Sequence, residues 1–231
     1  MASEPLSLAR ALAWRHRDWE PAARAALGEV SDRLRPGGHV LEIGYGSGLM
    51  ACYLARRYGV RVTGYDIKEE ARARATAAAA DFGLAGQVAF HVCRPEDTTA
   101  IRGAYDVVFV RSVLATLEPA RFRAWLRWIN SVLVEGGAFV ALENGPGSVP
   151  VRLCRRVHRT LSGGPRYRYL DGVRLREIDT TFRAVHVAAS GRVAPVFSWS
   201  PRLHAALTRL EAALGPPAPT RSFVTAVVAR R

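Results

Sequence analysis

Val40-Leu41-Glu42-Ile43-Gly44-Tyr45-Gly46-Ser47-Gly48 is the stretch on which the fold turns. A short apolar run ends in three glycines at alternate positions, and a helical pattern over 47–58 follows. Glycine at such a junction permits a tight turn and lets a ligand approach the backbone, while the free N–H groups of the next helix face that ligand. The spacing is G-x-G-x-G, not the G-x-G-x-x-G of dinucleotide pyrophosphate sites. An acid, Glu42, stands two residues before the first glycine, and another, Asp66, ends the next β-branched run, 61–65. A carboxylate at the tip of a second strand accepts hydrogen bonds from both hydroxyls of a ribose. The combination points to a nucleoside ligand; the plainer alternative is a tight turn with Asp66 only capping the following helix.

Working outward, strand and helix signals alternate. An alanine-rich helix is expected over 68–82, a third strand over 87–92 and a fourth over 105–110. A helix follows over 119–133, with Pro119 in its first turn and Phe122, Trp125, Trp128, Ile129 and Val132 on one stripe. Gly136-Gly137 reads as a turn before a fifth strand, 138–142. Alternation of this kind, with strands apolar throughout, implies a parallel sheet covered by helices on both faces. The fold class is therefore α/β, a Rossmann-like, doubly wound, mostly parallel seven-stranded sheet.

The 231 residues are read as a single domain, 1–231. Its expected parts are an N-terminal helical cap (1–37), a cofactor-binding core (38–144), a basic insertion or lid (145–181), and C-terminal strands with a helix (182–231). Hydrophobic residues make up 49%, ordinary for a globular chain. No run approaches the roughly twenty apolar residues of a membrane-spanning helix, and the N-terminus lacks the apolar core of a secretory signal, so a cytoplasmic location is expected. Cys52, Cys93 and Cys154 are widely spaced and suggest neither zinc nor disulfides. Buried free cysteine is the expectation for Cys52.

The net charge of +13 is almost wholly arginine, since Lys68 is the only lysine. Such a field attracts nucleic acid, anionic lipid or an acidic carrier protein, and charge alone does not choose. Between 152 and 176 lie Arg152, Arg155, Arg156, Arg159, Arg166, Arg168, Arg174 and Arg176 against one acid, Asp171. Val149, Val151, Leu153, Val157 and Leu161 interleave, so the first half reads as an amphipathic basic helix suited to anionic lipid, phosphates or an acidic protein, or as a solvated lid.

Four segments resemble the class I S-adenosylmethionine-dependent methyltransferases. VLEIGYGSGLMACYLA (40–55) and VTGYDIKEEA (62–71) are similar to their motifs I and II. YDVVFVRSVLATLEP (105–119) is similar to their fourth-strand motif, and INSVLVEGGAFVALEN (129–144) to the fifth, with Glu135 where proline is usual. The likeness spans about 38–144 and leans toward the small-molecule and lipid or quinone branches. It implies S-adenosyl-L-methionine as cofactor, S-adenosyl-L-homocysteine as product and a small-molecule acceptor, with O- or C-methylation favoured. It implies that Gly44, Gly46 and the Tyr45 backbone line the methionine part, with Gly48 also among the cofactor-binding residues and Glu42 fixing the loop or reaching the amino group through water. Asp66 would hold the ribose, Ile67 pack on the adenine, and Arg111 and Ser112 sit beside methionine and acceptor.

The chain departs from that pattern twice. Cys93-Arg94-Pro95 replaces the usual "G-D-A" that reads adenine; proline offers no N–H, and Glu96 or Asp97 is left to supply the acid. Leu114-Ala115-Thr116 replaces "L-E-H", removing a histidine often found near the acceptor. Candidates for a general base are His158, His16 and Tyr167, none marked by a motif. An RNA methyltransferase, or a cofactor-binding protein or cyclase that no longer methylates, are the alternative readings.

Overall fold

A computed structural model describes residues 6–12, 16–94, 96–98, 101–163 and 167–231, with the side chains of residues 16 and 17 also outside the description. Two helices, α1 (Leu8–Leu12) and α2 (His16–Glu29), precede the sheet. Then come β1 (His39–Ile43), α3 (Leu49–Tyr58), β2 (Arg61–Asp66), α4 (Glu69–Asp81), β3 (Val88–Val92), β4 (Tyr105–Arg111), α5 (Pro119–Val132) and β5 (Leu133–Asn144). The chain ends through α6 (Val149–Ser162), α7 (Gly172–Thr181), β6 (Ala184–Ser190), α8 (Pro201–Ala213) and β7 (Val224–Arg230).

The seven strands are ordered β3-β2-β1-β4-β5-β7-β6. Pairing is parallel from β3 to β5, and β7 runs antiparallel between β5 and β6. Strand order reverses between β1 and β4, so the carboxyl ends of these two strands flank a crevice in which α/β sheets bind ligands.

Strand parity explains why the runs are apolar throughout. Val40, Val107, Phe109, Val140 and Leu142 face the cluster built with Trp19, Val30, Met50 and Leu54 from α2, α3 and the turn between them and the sheet. Their neighbours Leu41, Val108, Val110, Phe139 and Ala141 face the opposite cluster, with Phe122, Trp125, Ile129, Ile178 and Phe182 from α5, α7 and the residue that ends α7. Cys52 belongs to the first cluster and is fully buried, with its thiol pushed up to about 11 by desolvation. All five of the expected α5 core positions and their neighbour Leu126 are covered, and the helix starts on Pro119.

Two boundaries moved for physical reasons. The third helix begins at Leu49, not residue 47, because Gly44, Gly46 and Gly48 hold φ of +79°, +56° and +72°, values no right-handed helix accommodates. The fifth strand begins at Leu133, because Gly136-Gly137 does not turn the chain. The register slips instead, from Tyr105 opposite Leu133 to Val107 opposite Ala138, and the pair is absorbed as a bulge. Among the described residues the insertion after β5 holds two helices, the second capped by Asp171, whose carboxylate accepts from the Val173 and Arg174 N–H groups.

At Gly48 a Cβ would lie 2.6 Å from Ala75 Cβ and 2.9 Å from Phe90 Cζ. Gly48→Ala is expected to destabilise by about 2–4 kcal/mol, combining left-handed strain with overpacking. Thermal unfolding should show Tm lowered by roughly 5–15 °C. Gly83→Ala, at φ +67° but with nothing within 4 Å, should cost about 1 kcal/mol, and equal losses for the two variants would remove the packing argument.

Candidate active site

A cavity of about 450 Å³ opens at the crevice between β1 and β4, within the range roughly 300–1,000 Å³ of small-molecule sites. Its wall includes Gly44, Gly46, Asp66, Ile67, Arg111 and Ser112, which sequence reasoning singles out on three different segments. The glycine turn is fixed from both sides. Gly44 N–H donates to the Tyr65 carbonyl (2.8 Å), and Gly46 N–H donates to Asp66 Oδ2 (2.9 Å). Asp66 Oδ1 accepts from Lys68 N–H (3.2 Å), so the carboxylate does cap the turn before α4 while still lining the cavity. An ionised carboxylate has about four acceptor positions, and these two bonds leave capacity for ligand hydroxyls.

Two glycines differ in what lies beside them. A Cβ on Gly44 would strike Val113 Cγ2 at 2.5 Å, so the backbone there is pressed against the segment after β4. A Cβ on Gly46 would meet nothing within 4 Å, so the space beside that backbone is open to a ligand. Ile67, 59% exposed on the rim, offers an apolar shelf next to the Asp66 carboxylate.

Glu42, Tyr45 and Gly48 lie beneath the turn rather than on the wall. Tyr45 is buried among Ala71, Ala75 and Phe90, its hydroxyl donating to the His91 carbonyl at 3.2 Å. Glu42 is fully buried, and neither oxygen has a hydrogen-bond partner of good geometry among the described residues. Desolvation raises its carboxyl to about 7, with Arg111 opposing and Asp66 adding to the rise.

The segment after β4 closes the other side. Ser112 is the only non-glycine with positive φ (56°) among the described residues, and its N–H donates to the Leu142 carbonyl at 3.1 Å. Strained backbone of this sort persists only where its surroundings over-determine it. Here buried Glu143, at the end of β5, accepts from the N–H groups of Val113 (2.7 Å) and Leu114 (2.8 Å). Its carboxyl too is raised to about 7 by burial, against the pull of those N–H groups. Arg174 of α7 clamps the same segment from outside, donating to the carbonyls of Leu114 (2.6 Å) and Leu117 (2.5 Å). Arg111 Nη1 donates to the Ala11 carbonyl (3.1 Å), tying α1 to the mouth of the site.

Other expectations are not brought to the cavity. Glu96 and Asp97 are exposed in the turn after β3 and leave the wall to Thr98 and Cys93; Pro95 lies outside the described residues. The Cys93 thiol is raised by burial and donates to the Arg94 carbonyl, which speaks against a thiolate nucleophile. His158 is exposed on α6 with Ser162 as its contact, because the inward face of that helix is taken by Val151 and Arg155. Tyr167 is exposed and off the wall, and the His16 side chain lies outside the described residues. Sequence reasoning missed Tyr65, Thr116, Leu117 and Trp125 on the wall, together with Glu143 and Arg174 behind it. No local spacing marks these; only the register of β4 against β5 and the return of α7 unite them.

Residues 40–137 match the family model of a methyltransferase domain. The chain is similar to a sarcosine/dimethylglycine N-methyltransferase of Halorhodospira halochloris, 27% identical over 161 residues, 65% of this chain and 57% of that protein's length. Among solved structures it is similar to an S-adenosylmethionine-dependent methyltransferase from Mesorhizobium loti (TM-score 0.66, 20% identity, 95% of this chain and 98% of that one). It is also similar to magnesium protoporphyrin IX methyltransferase from Synechocystis PCC 6803, solved with bound S-adenosylhomocysteine (TM-score 0.62, 16% identity, 100% and 90%). The fold is thus the Rossmann-like fold of these methyltransferases.

The buried acid under the turn has a measurable signature. Glu42 has an ordinary value of 4.5 and a folded value of about 7, so folding takes up a proton between them and stability falls as pH rises across that window. Glu42→Gln should therefore match the wild type near about pH 5 and exceed it near about pH 8, by on the order of 3 kcal/mol at most. Calorimetric Tm values at both pH values test this, and a difference independent of pH would refute the raised carboxyl.

Proposed function

We propose that this chain, whose residues 40–137 match a methyltransferase domain, transfers a methyl group from S-adenosylmethionine to a small-molecule acceptor. The observation that carries the reading is the Asp66 carboxylate, bonded to Gly46 N–H yet still lining the cavity beside an open glycine backbone. The group fits the residues present: Asp66 for the ribose hydroxyls, Ile67 for the adenine face, and the Gly44–Gly46 backbone with Arg111 for the methionine part. Buried, unpartnered Glu42 beneath that backbone favours a cation above it. When bound, the cofactor supplies a sulfonium methyl group and leaves as S-adenosylhomocysteine.

The chain's own residues then have to align an acceptor, a contribution that proximity and exclusion of water make large. Val113, Thr116, Leu117 and Trp125 bound the remaining space and favour an acceptor with an apolar or aromatic body. Among the described residues the wall holds no histidine and no carboxylate except Asp66. An acceptor whose own nucleophile is available near neutral pH, such as an amine or an acidic hydroxyl, fits this wall better than an unactivated alcohol or carbon acid. The similar protein named for N-methylation of sarcosine and dimethylglycine acts on acceptors of that amine kind.

Isothermal titration with S-adenosylmethionine and S-adenosylhomocysteine tests the reading. Binding at micromolar level is expected, and Asp66→Ala should weaken it by about tenfold to a hundredfold, the loss of one to two charge-assisted hydrogen bonds. Absence of binding, or unchanged affinity in the variant, would dispose of the proposal.

A further inference from the structure

We propose that the outward face of α6 seats this protein on an anionic phospholipid surface. The helix is turned inside out relative to an ordinary surface helix. Val149, Leu153, Val157 and Leu161, at four-residue spacing along one stripe, are 67%, 61%, 51% and 83% exposed. What faces the protein instead is Val151 and an arginine. Arg155 donates to the carbonyls of Gly145 (2.6 Å), Pro146 (3.3 Å) and Phe223 (3.3 Å). Its guanidinium lies 4.5 Å from the Tyr169 ring and 4.6 Å from that of Phe223. An amphipathic helix on a globular protein points its apolar stripe at the core; here the core side is satisfied by a cation, and the stripe is left in water.

Charge decides the occupant. Arg152, Arg156 and Arg159 are exposed along one flank of the stripe, and α6 contains no acid. An apolar strip about 18 Å long with cations beside it and no groove matches an interface of acyl chains and anionic headgroups, which needs depth and charge but no complementary shape. Exposed apolar side chains also occur on the neighbouring elements. Both α6 and α8 pack against the 3-10 turn Ala194–Phe197, and just past that turn Trp199 is 76% exposed. On α8, Leu203, Leu210 and Leu214 are 40%, 59% and 64% exposed. Exposed tryptophan, arginine and leucine together are the composition of a headgroup-level anchor.

Co-sedimentation of the full chain with vesicles tests the proposal without requiring any methyl acceptor. Vesicles of phosphatidylcholine with about 30% phosphatidylglycerol should bind the protein at least about tenfold more tightly than phosphatidylcholine alone, and raising salt from about 0.1 to 0.5 M should weaken the binding. Leu153→Ser/Leu161→Ser should lose about tenfold on the anionic vesicles while keeping the wild-type Tm and affinity for S-adenosylhomocysteine. No partition onto anionic vesicles overturns the proposal. So does wild-type binding by the double serine variant, which would reduce the effect to attraction of a basic chain. A wild-type dimer in light scattering that the same variant returns to monomer, with no vesicle binding, assigns the stripe to a second copy and overturns it equally.

Discussion

The hydrogen bond from Gly46 N–H to Asp66 ties the exit of β1 to the tip of β2, and the rest of the site is arranged around it. It forms only because the chain takes three left-handed steps at Gly44, Gly46 and Gly48, each forbidden or costly to other residues. Those steps delay the start of α3, press Gly44 against Val113 of the segment after β4, and leave open space beside Gly46. They also seal Glu42 below the turn, out of solvent and, among the described residues, with no good hydrogen-bond partner. A buried carboxyl in that state costs stability when ionised, so its retention is a local conflict of the kind concentrated at functional sites.

The opposite wall rests on a second set of buried polar groups. Glu143 holds two N–H groups of the segment after β4, and Arg174 holds two of its carbonyls from the other side, its guanidinium also 4.5 Å from the Phe122 ring. Both side chains are removed from water, which is tolerable because each is spent on backbone groups that would otherwise lack partners. Together they over-determine the positive φ of Ser112. Through α7, the insertion after β5 is therefore part of the construction of the site, not merely a cover over it.

This division explains what could be read in the chain beforehand. Strands buried on both faces must be apolar at every position, so β1, β4 and β5 stand out without any partner being known. The glycine side of the cavity is encoded in contiguous turns, where residue type follows directly from backbone geometry, and Gly44, Gly46, Asp66 and Ile67 do meet on one wall. The rest of the wall includes Tyr65, Leu117 and Trp125, ordinary core residue types whose meeting depends on strand register. Titratable type alone was a poor guide there: His158 and Tyr167 are exposed and off the wall, whereas the buried acids Glu42 and Glu143 sit at the ends of apolar strands. Gly136-Gly137 shows the same limit for backbone signals, since a pair that reads as a turn served as a bulge once β4 and β5 were aligned.

The net charge of +13 is likewise less informative than where each arginine goes. Arg155 and Arg174 are turned inward onto carbonyls, Arg111 ties Ala11 to the site, and Arg230 reaches the Glu29 carbonyl and Asp32. A guanidinium with five donors in a rigid fork is well suited to gathering several carbonyls at once, and a chain with a single lysine has recruited it for that structural task. Arginines so engaged contribute little to recognition of a polyanion, and the apparent basic face shrinks accordingly. What distinguishes α6 from the other arginine-bearing elements is not its charge but the row of aliphatic side chains at 149, 153, 157 and 161 that the fold leaves uncovered. Burying those side chains in the core would release roughly 25 cal/mol for each Å² removed from water, and the chain forgoes that gain while Arg155 occupies the inward face. An arrangement that sacrifices burial at four successive turns points to a partner outside the chain.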